Sequence, residues 1–259
     1  MRLLTYNIRE GGTGRVAEIA QVIMAANADV VALQEATDPA VVERIAQLAG
    51  YRAWGSQRGT STGFLSRVTV LEHRWHTIPR SLHPVLEVTL GEGAPRVFVV
   101  HLRAWFSNIT ERHRVRELGR LLDSIRDRLA RETGTSGTLA YHVITGDFNA
   151  LAPDEAFDSS SMPAWIRGMI WVTGRTMSRA TIELARASGY VDAWRELHPD
   201  PVVEPGYTFP VWHPHVRLDY VFTPSAYAPR VKACEVRRAP SMVTRASDHF
   251  PLLVELATS

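Results

Sequence analysis

"YHVITGDFNAL", Tyr141 to Leu151, holds an apolar run, Val143 to Thr145, that reads as a buried strand and then meets Gly146, Asp147, Phe148 and Asn149. A carboxylate and a carboxamide thus stand two residues apart where a strand leaves the core. In an extended chain residues i and i+2 project to the same side, so Asp147 and Asn149 would face one common object. Gly, Asp and Asn are also ordinary turn formers. The stretch by itself leaves a plain turn and a polar site both open, and the partners must come from elsewhere in the chain.

Upstream, "RVFVVHL" (Arg96 to Leu102) is a second buried strand, ending at His101. Between the two lies the longest helical pattern, "ERHRVRELGRLLDSIRDRLARE" (Glu111 to Glu132), with a break at "TGTSG". "RLLTYNI" reads as a strand ending at Asn7, and "DVVALQE" as a short buried strand ending in Glu35. "RVAEIAQVIMAANA" has apolar residues at helical spacing, and "PAVVERIAQLAG" is a helix with Pro near its start and Gly at its end. "GTSTGFLSR", "VTVLEH" and "PVLEVTL" read as hairpin strands. Downstream come a helix in "SRATIELARASG", a strand in "VRLDYVFTP", and "ASDHFPLLVEL", a polar triplet before a final strand. Each half has strand, helix and strand units whose strands end in polar residues. That pattern predicts two packed sheets with helices outside, in one α/β domain over residues 1–259, with any site at one rim.

Of 259 residues 45% are hydrophobic and 22% charged, which suits a packed globular core. A net charge of +2 excludes a strong global field. One of the 29 basic residues is a lysine, Lys232, and the rest are arginines. GC-rich coding is the simpler reason, although guanidinium forks also match phosphate geometry. The single Cys234 permits no intrachain disulfide, no apolar run is long enough to cross a membrane, and "MRLLTYNI" enters a strand at once rather than a signal peptide. A cytoplasmic protein without a membrane segment is expected.

The strand-end polar residues are Asn7, Glu35, His101, Asp147, Asn149, Asp219, Asp248 and His249. Each has a simpler reading alone: a turn for Asn7, a core hydrogen bond for His101, an ion pair between Asp219 and Arg217, a cap by Asp248 and Ser247. Together they form a chemically complete set. Carboxylates and amide oxygens without thiolates suit a hard divalent ion such as Mg²⁺ or Mn²⁺, and the ligand spacing of a Zn²⁺ site is absent. Two histidines with an aspartate to orient one of them suit acid–base work. This is the toolkit of metal-assisted phosphate-ester hydrolysis.

The ordered set "TYNI", "LQE", "GFLSR", "VVHL", "GDFNA", "YTFP", "RLDYVF" and "SDHFPL" resembles the endonuclease/exonuclease/phosphatase superfamily from Arg2 to Leu256. The resemblance implies a four-layered α/β sandwich, two mixed sheets flanked by helices, with the site at one rim. It implies Asn7 and Glu35 at one or two metal ions, with Glu35 the principal ligand and Asp248 near the metal or the nucleophile. Asp147 would orient or deprotonate the attacking water and Asn149 would hold the phosphate. His249, paired with Asp219, would contact the phosphate and move a proton, and His101 would face the phosphate from the opposite side. Arg67 would either support the phosphate or brace its strand. Arg112 is the position offered for a substrate arginine. The arginines of the long helix otherwise read as a solvated face, because Glu111, Glu117, Asp123 and Asp127 are interspersed with them.

Three substrate readings compete. A nuclease on DNA or RNA is favoured by many arginines and a pI near 8.9. A phosphodiesterase on a small molecule or lipid headgroup would use an apolar rim from Trp105, Phe106 and the Trp165 to Trp171 segment, which core packing explains more simply. A silent binding module is disfavoured by the complete polar set. The segment at "GTSTGFLSR" differs from that of common apurinic endonucleases, "VRLDYV" differs from inositol polyphosphate phosphatases, and one cysteine differs from secreted deoxyribonuclease I relatives. A compact phosphodiesterase, leading substrate nucleic acid and expected as a monomer, is the reading that remains.

Overall fold

The computed structural model describes residues 1–91, 93–105, 107–133, 139–155, 168 and 178–258. Phe106, the "TGTSG" break after residue 133 and the apolar segment holding Trp165 and Trp171 lie outside the described residues.

The elements run β1 (Arg2–Asn7), α1 (Val16–Ala26), β2 (Val30–Gln34), α2 (Pro39–Ala49), β3 (Ala53–Ser56), β4 (Thr62–Ser66), β5 (Val70–His76), β6 (Val85–Leu90), β7 (Arg96–His101) and α3 (Asn108–Thr133). They continue β8 (His142–Asp147), α4 (Ala180–Ala187), β9 (Tyr190–Asp192), α5 (Ala193–Leu197), β10 (Asp219–Pro224), β11 (Val231–Val236), α6 (Val243–Ala246) and β12 (Leu252–Leu256). Local chemistry sets several boundaries. In α2 the Asp38 side chain accepts from the Ala40 amide, Pro39 sits at the first helical position, and Gly50 ends the helix in the left-handed region.

Two six-stranded mixed sheets result, ordered β11-β12-β1-β2-β4-β3 and β5-β6-β7-β8-β10-β9. Each centres on one parallel pair, β1 with β2 and β7 with β8, crossed over by α1 and α3 respectively. Alternation along the strands builds the layers. Leu3, Val30 and Phe64 of the first sheet meet Val88, Val97, Val143 and Val221 of the second in a shared inner core. Leu4, Tyr6 and Leu33 face outward onto Ile19, Ile23, Val42 and Ile45 of α1 and α2. Phe98, Val100 and Ile144 face outward onto Leu118, Leu122, Ile125 and Ile182 of α3 and α4. The central strands are buried on both faces, so they read as continuous apolar runs. This is the expected four-layered sandwich.

The solvated-face reading of α3 needs correction. Glu111, Arg114 and Glu117 are buried. Arg114 pairs with Glu111 at 2.7 Å, and the other Glu111 oxygen accepts from the Thr181 amide of α4 at 2.9 Å. Glu117 accepts from the Ser81 hydroxyl. The loop before β6 and the start of α4 cover the first half of the helix, so its charges serve tertiary packing. The exposed Asp123–Arg126 pair, at 3.2 Å, fits the original reading.

At the far end of β8 from the rim, buried His142 places Nδ1 2.7 Å from the Ala140 carbonyl and Nε2 2.8 Å from the Tyr190 hydroxyl. Burial pushes its pKa down to about 4 against the pull of that carbonyl. The folded pKa lies below the unfolded value of roughly 6.5, so the unfolded chain takes up the proton first. This contribution to stability is complete above about pH 6.5 and is lost as pH falls toward 4, in total ~3 kcal/mol. Urea midpoints should therefore drop between pH 7 and pH 4.5, and His142→Gln should flatten that slope. Identical slopes in both proteins would clear His142 of the effect.

Candidate active site

Register places the functional side chains. Asn7 pairs with Gln34, His101 with Asp147, and Asp147 with Asp219. The ends of β1, β2, β7 and β8 and the start of antiparallel β10 thus share one rim. Parity then aims them. Asn7 lies in phase with Leu3, His101 with Val97, Asp147 with Val143 and Asp219 with Val221, all inner-core residues. Each of these polar side chains therefore points into the space between the sheets. Asn7 bridges it, its Nδ2 donating to Asp147 Oδ2 and to Glu35 Oε1, both at 3.1 Å.

Glu35 is the exception in phase. By parity Gln34 holds the inner position and Glu35 would turn outward. The backbone of Glu35 enters the left-handed region at φ 58°, and its carboxylate swings back to accept from Asn7 and, at 2.5 Å, from the Glu10 amide. Arg9, Glu10 and Asn149 are also left-handed, so four of the seven such non-glycine residues described lie at this rim. Backbone strain of this kind persists where the surroundings over-determine it, and it collects at functional sites.

Asn149 corrects the extended-chain premise. At φ 49° it turns, its amide donating to Asp147 Oδ1 at 2.8 Å and its Nδ2 to the Leu102 carbonyl at 3.0 Å. The turn reading of the opening stretch holds, and the turn keeps Asp147 and Asn149 bonded to each other at the rim. Gly146 beside it is obligatory, since an added Cβ would lie 1.9 Å from the Val100 carbonyl oxygen.

Asp147 Oδ2 stands 3.8 Å from Nε2 of His101 and 3.8 Å from Nε2 of His249. Those separations exceed a hydrogen bond. Behind His249, Nδ1 is held by Asp219 Oδ2 at 2.8 Å. Arg217 does not pair with Asp219. Its side chain bonds Asp192 in bidentate fashion at 2.9 and 2.6 Å and Glu155 at 2.6 Å, which leaves Asp219 to the histidine. Burial alone would discharge His249, yet the Asp219 carboxylate, then Asp147 and Asp248, hold its pKa up to about 10. Burial pushes Asp147 up to about 7 although the His249 charge draws it down. Burial pushes His101 down to about 4, against the pull of Glu35. At neutral pH the trio is an imidazolium, a carboxyl near its midpoint and a neutral imidazole.

Ser61 and His83 left no distinctive mark in the sequence, whereas Thr208 and Phe209 belong to "YTFP". Ser61 accepts from the Glu35 amide at 3.3 Å and lies 2.5 Å from His101 Nδ1, fixing that ring. His83 stacks on His101 with centroids 5.0 Å apart. Thr208 Oγ1 receives the Leu218 and Asp219 amides at 3.1 and 3.4 Å. Phe209 leans on His249 at 4.8 Å. Asp248 takes the Ser247 hydroxyl at 3.3 Å and lies 3.8 Å from Arg9 Nε.

Arg67 sits just past the opposite end of β4, where Ser66 pairs with Val30. Its guanidinium donates to Asn27 and the Ala49 carbonyl and covers the Tyr51 ring at 4.6 Å. It braces the strand and lies away from the rim. Arg112 is exposed on the first turns of α3.

Among the described residues, Asp147, Asp219 and His249 present ligand atoms within 4.8 Å of one another. A protonated His249 that already uses Nδ1 on Asp219 is a poor metal ligand. The half-buried Glu35 carboxylate, with Asp248 nearby in the chain's last turn before β12, offers hard oxygen donors better matched to Mg²⁺ or Mn²⁺.

Comparison with known proteins agrees with this fold. The model of the Endonuclease/Exonuclease/phosphatase family matches residues 4–249. An AP endonuclease from Archaeoglobus fulgidus superposes with a TM-score of 0.72 at 18% identity, covering 100% of both chains. The 3′ phosphatase NExo from Neisseria, bound to a product DNA hairpin, gives 0.68 at 21%, covering 99% of each chain. D. rerio TDP2 complexed with a single-strand DNA product gives 0.64 at 19%, covering 100% of this chain and 99% of that one. No curated protein sequence matches the chain. Among the described residues no helix is long and apolar enough to cross a membrane. A family match over nearly the whole length, on a sandwich whose rim gathers this polar set, has one meaning: the chain belongs to the endonuclease/exonuclease/phosphatase family of phosphoester hydrolases.

Proposed function

We propose that the protein is a divalent-metal-dependent phosphodiesterase acting on nucleic acid, its residues 1–259 working as one domain. The observation that carries the reading is the equidistance of Asp147 Oδ2 from the Nε2 atoms of His101 and His249. A phosphate placed between the two rings meets a donor on either side and a carboxylate at its attacking face.

In this reading Asp147, raised toward neutrality, accepts the proton of the attacking water. His249, kept charged by Asp219, donates to a phosphate oxygen and stabilises the charge that develops there. Neutral His101 donates from Nε2 while Ser61 engages Nδ1. Asn149 holds the phosphate through the amide N–H that Leu102 leaves available. Glu35, with Asn7 and Asp248 around it, would hold Mg²⁺ or Mn²⁺, which when bound supplies Lewis-acid neutralisation of the phosphate oxygens. Nucleic acid is favoured over a small phosphoester by the neighbours solved with DNA products.

The direct test is cleavage of supercoiled plasmid with Mg²⁺, with Mn²⁺ and with chelator, beside His249→Ala. Nicking that requires both the ion and His249 is expected. A folded protein that cuts no plasmid or oligonucleotide under any ion would overturn the nucleic-acid reading. Glu35→Gln should raise the half-saturating Mg²⁺ concentration by about tenfold, which corresponds to 1.4 kcal/mol. An unshifted titration would remove Glu35 from the ion.

A further inference from the structure

Beside the catalytic rim lies a cavity of about 880 Å³ whose walls include Arg80, Arg103, His113, Arg116 and Arg120. Three elements converge on it. Arg80, in the left-handed conformation at φ 65°, comes from the β5–β6 connection. Arg103 follows β7, while His113, Arg116 and Arg120 lie at helical spacing along one face of α3. Among the described residues no carboxylate residue is part of the wall.

Elsewhere in the chain arginines have counter-charges, as Arg114 has in Glu111, Arg128 in Glu87 and Arg217 in Asp192. Among the described residues these four have none within ion-pair distance. Arg120 spends one N–H on the Pro79 carbonyl at 2.8 Å. Arg103 Nε is buried without a hydrogen-bond partner. Glu117 of the helix is buried and engaged by the Ser81 hydroxyl, and burial raises its pKa although the charge of Arg103, beyond ion-pair distance, draws it down. Four guanidiniums around one cavity repel each other unless an anion joins them, and their forked donors fit phosphate oxygens.

The cavity wall adjoins the centre along the chain. His83, three residues after Arg80, stacks on His101. Arg103 is two residues past His101, so their Cα atoms are at most ~7 Å apart. An occupant of the cavity would therefore be covalently close to a phosphate held at His101.

We propose that Arg80, Arg103, Arg116 and Arg120 form a subsite for a second, uncut phosphate of the same nucleic-acid strand. The inference rests on the phosphodiesterase reading above and deepens it. The subsite makes a strand with several phosphates a better substrate than an isolated phosphoester, and it gives binding a salt dependence that net charge alone does not.

The test is the Arg116→Gln/Arg120→Gln double variant beside wild type and Arg44→Gln/Arg52→Gln, two exposed changes on and just after α2 that match its loss of charge. Anisotropy of a labelled single-stranded deoxyoligonucleotide is read in chelator across a salt series, and turnover of that strand and of bis(p-nitrophenyl) phosphate is read with Mg²⁺. The double variant should raise KM for the strand about tenfold or more with kcat little changed. The slope of log affinity against log salt should shrink by up to about 0.7, the value for one phosphate contact on a single strand. Arg116→Lys/Arg120→Lys should recover part of the affinity. An unchanged slope and KM, with wild type still cutting the strand, would overturn the subsite and leave the nuclease reading standing. Loss of bis(p-nitrophenyl) phosphate turnover in the double variant would also overturn it, because the arginines would then be acting on the centre itself. If wild type turns over the small diester yet neither binds nor cuts the strand, the nucleic-acid reading and this occupant fail together.

Discussion

Asp147→Asn is expected to lower kcat by about a thousandfold, roughly 4 kcal/mol of transition-state stabilisation, while leaving the fold intact. The asparagine keeps the oxygen that the Asn149 amide bonds and fills the same volume, so the turn after β8 survives. What disappears is the group whose pKa burial raises to about 7, and with it the acceptor for the proton of water. The variant loses the bond that Oδ2 accepts from Asn7 Nδ2 but is relieved of a buried carboxylate, two effects of opposite sign, so it should melt close to wild type. The pH profile adds an independent reading. In wild type kcat/KM should climb as Asp147 loses its proton and fall once His249, held up to about 10, loses its own. In Asp147→Asn the acid limb should vanish. Near-normal turnover from the variant, or an acid limb that persists, would take Asp147 out of the role of base.

Arg217→Met is expected to lower stability by about 3–5 kcal/mol with no direct effect on chemistry, because removing one partner leaves buried charge uncompensated. Arg217 is wholly buried, its guanidinium gripping Asp192 and Glu155 over the Tyr220 ring at 4.3 Å. Without it the two buried carboxylates keep only looser partners, Arg186 at 3.8 Å from Asp192 and Arg195 at 3.5 Å from Glu155. For a chain of this size the loss corresponds to a drop in Tm of roughly 10 °C. Adding Asp192→Asn and Glu155→Gln should return part of it, since the penalty comes from unpaired charge rather than lost volume. A melting point within about 2 °C of wild type for Arg217→Met alone, about 1 kcal/mol or less, would show that the network is solvated in solution.

Arg217 also marks where sequence reading stops. Two positions from Asp219, it invites a local pair, but its partners lie 25 and 62 residues away on the other side of β10. The same limit explains α3. Interspersed charges look like a solvated helix until the turn before β6 and α4 bury half of them. It explains Arg67 as well, which "GFLSR" places at the end of a strand without saying that this end points away from the site.

The sequence by itself determined the order of the central strands and long helices, the two-sheet architecture and the polar residues at strand ends, but not the edge strands β3, β9 and β11. The features it determined follow from periodicity, caps and apolar runs, which are local properties with a fixed geometric repeat. The one parity reading made, Asp147 with Asn149, gave way to a left-handed turn at Asn149. Only the tertiary structure decided that Asn7, His101, Asp147 and Asp219 look at one another across the sandwich, that Glu35 leaves its phase through a left-handed turn, that Ser61 and His83 brace His101, and that four arginines from three elements surround one cavity. Such distances depend on how two sheets pack and on long-range pairing. No local pattern encodes them, because the residues that meet are far apart in the chain and are chosen by the burial of the core between them.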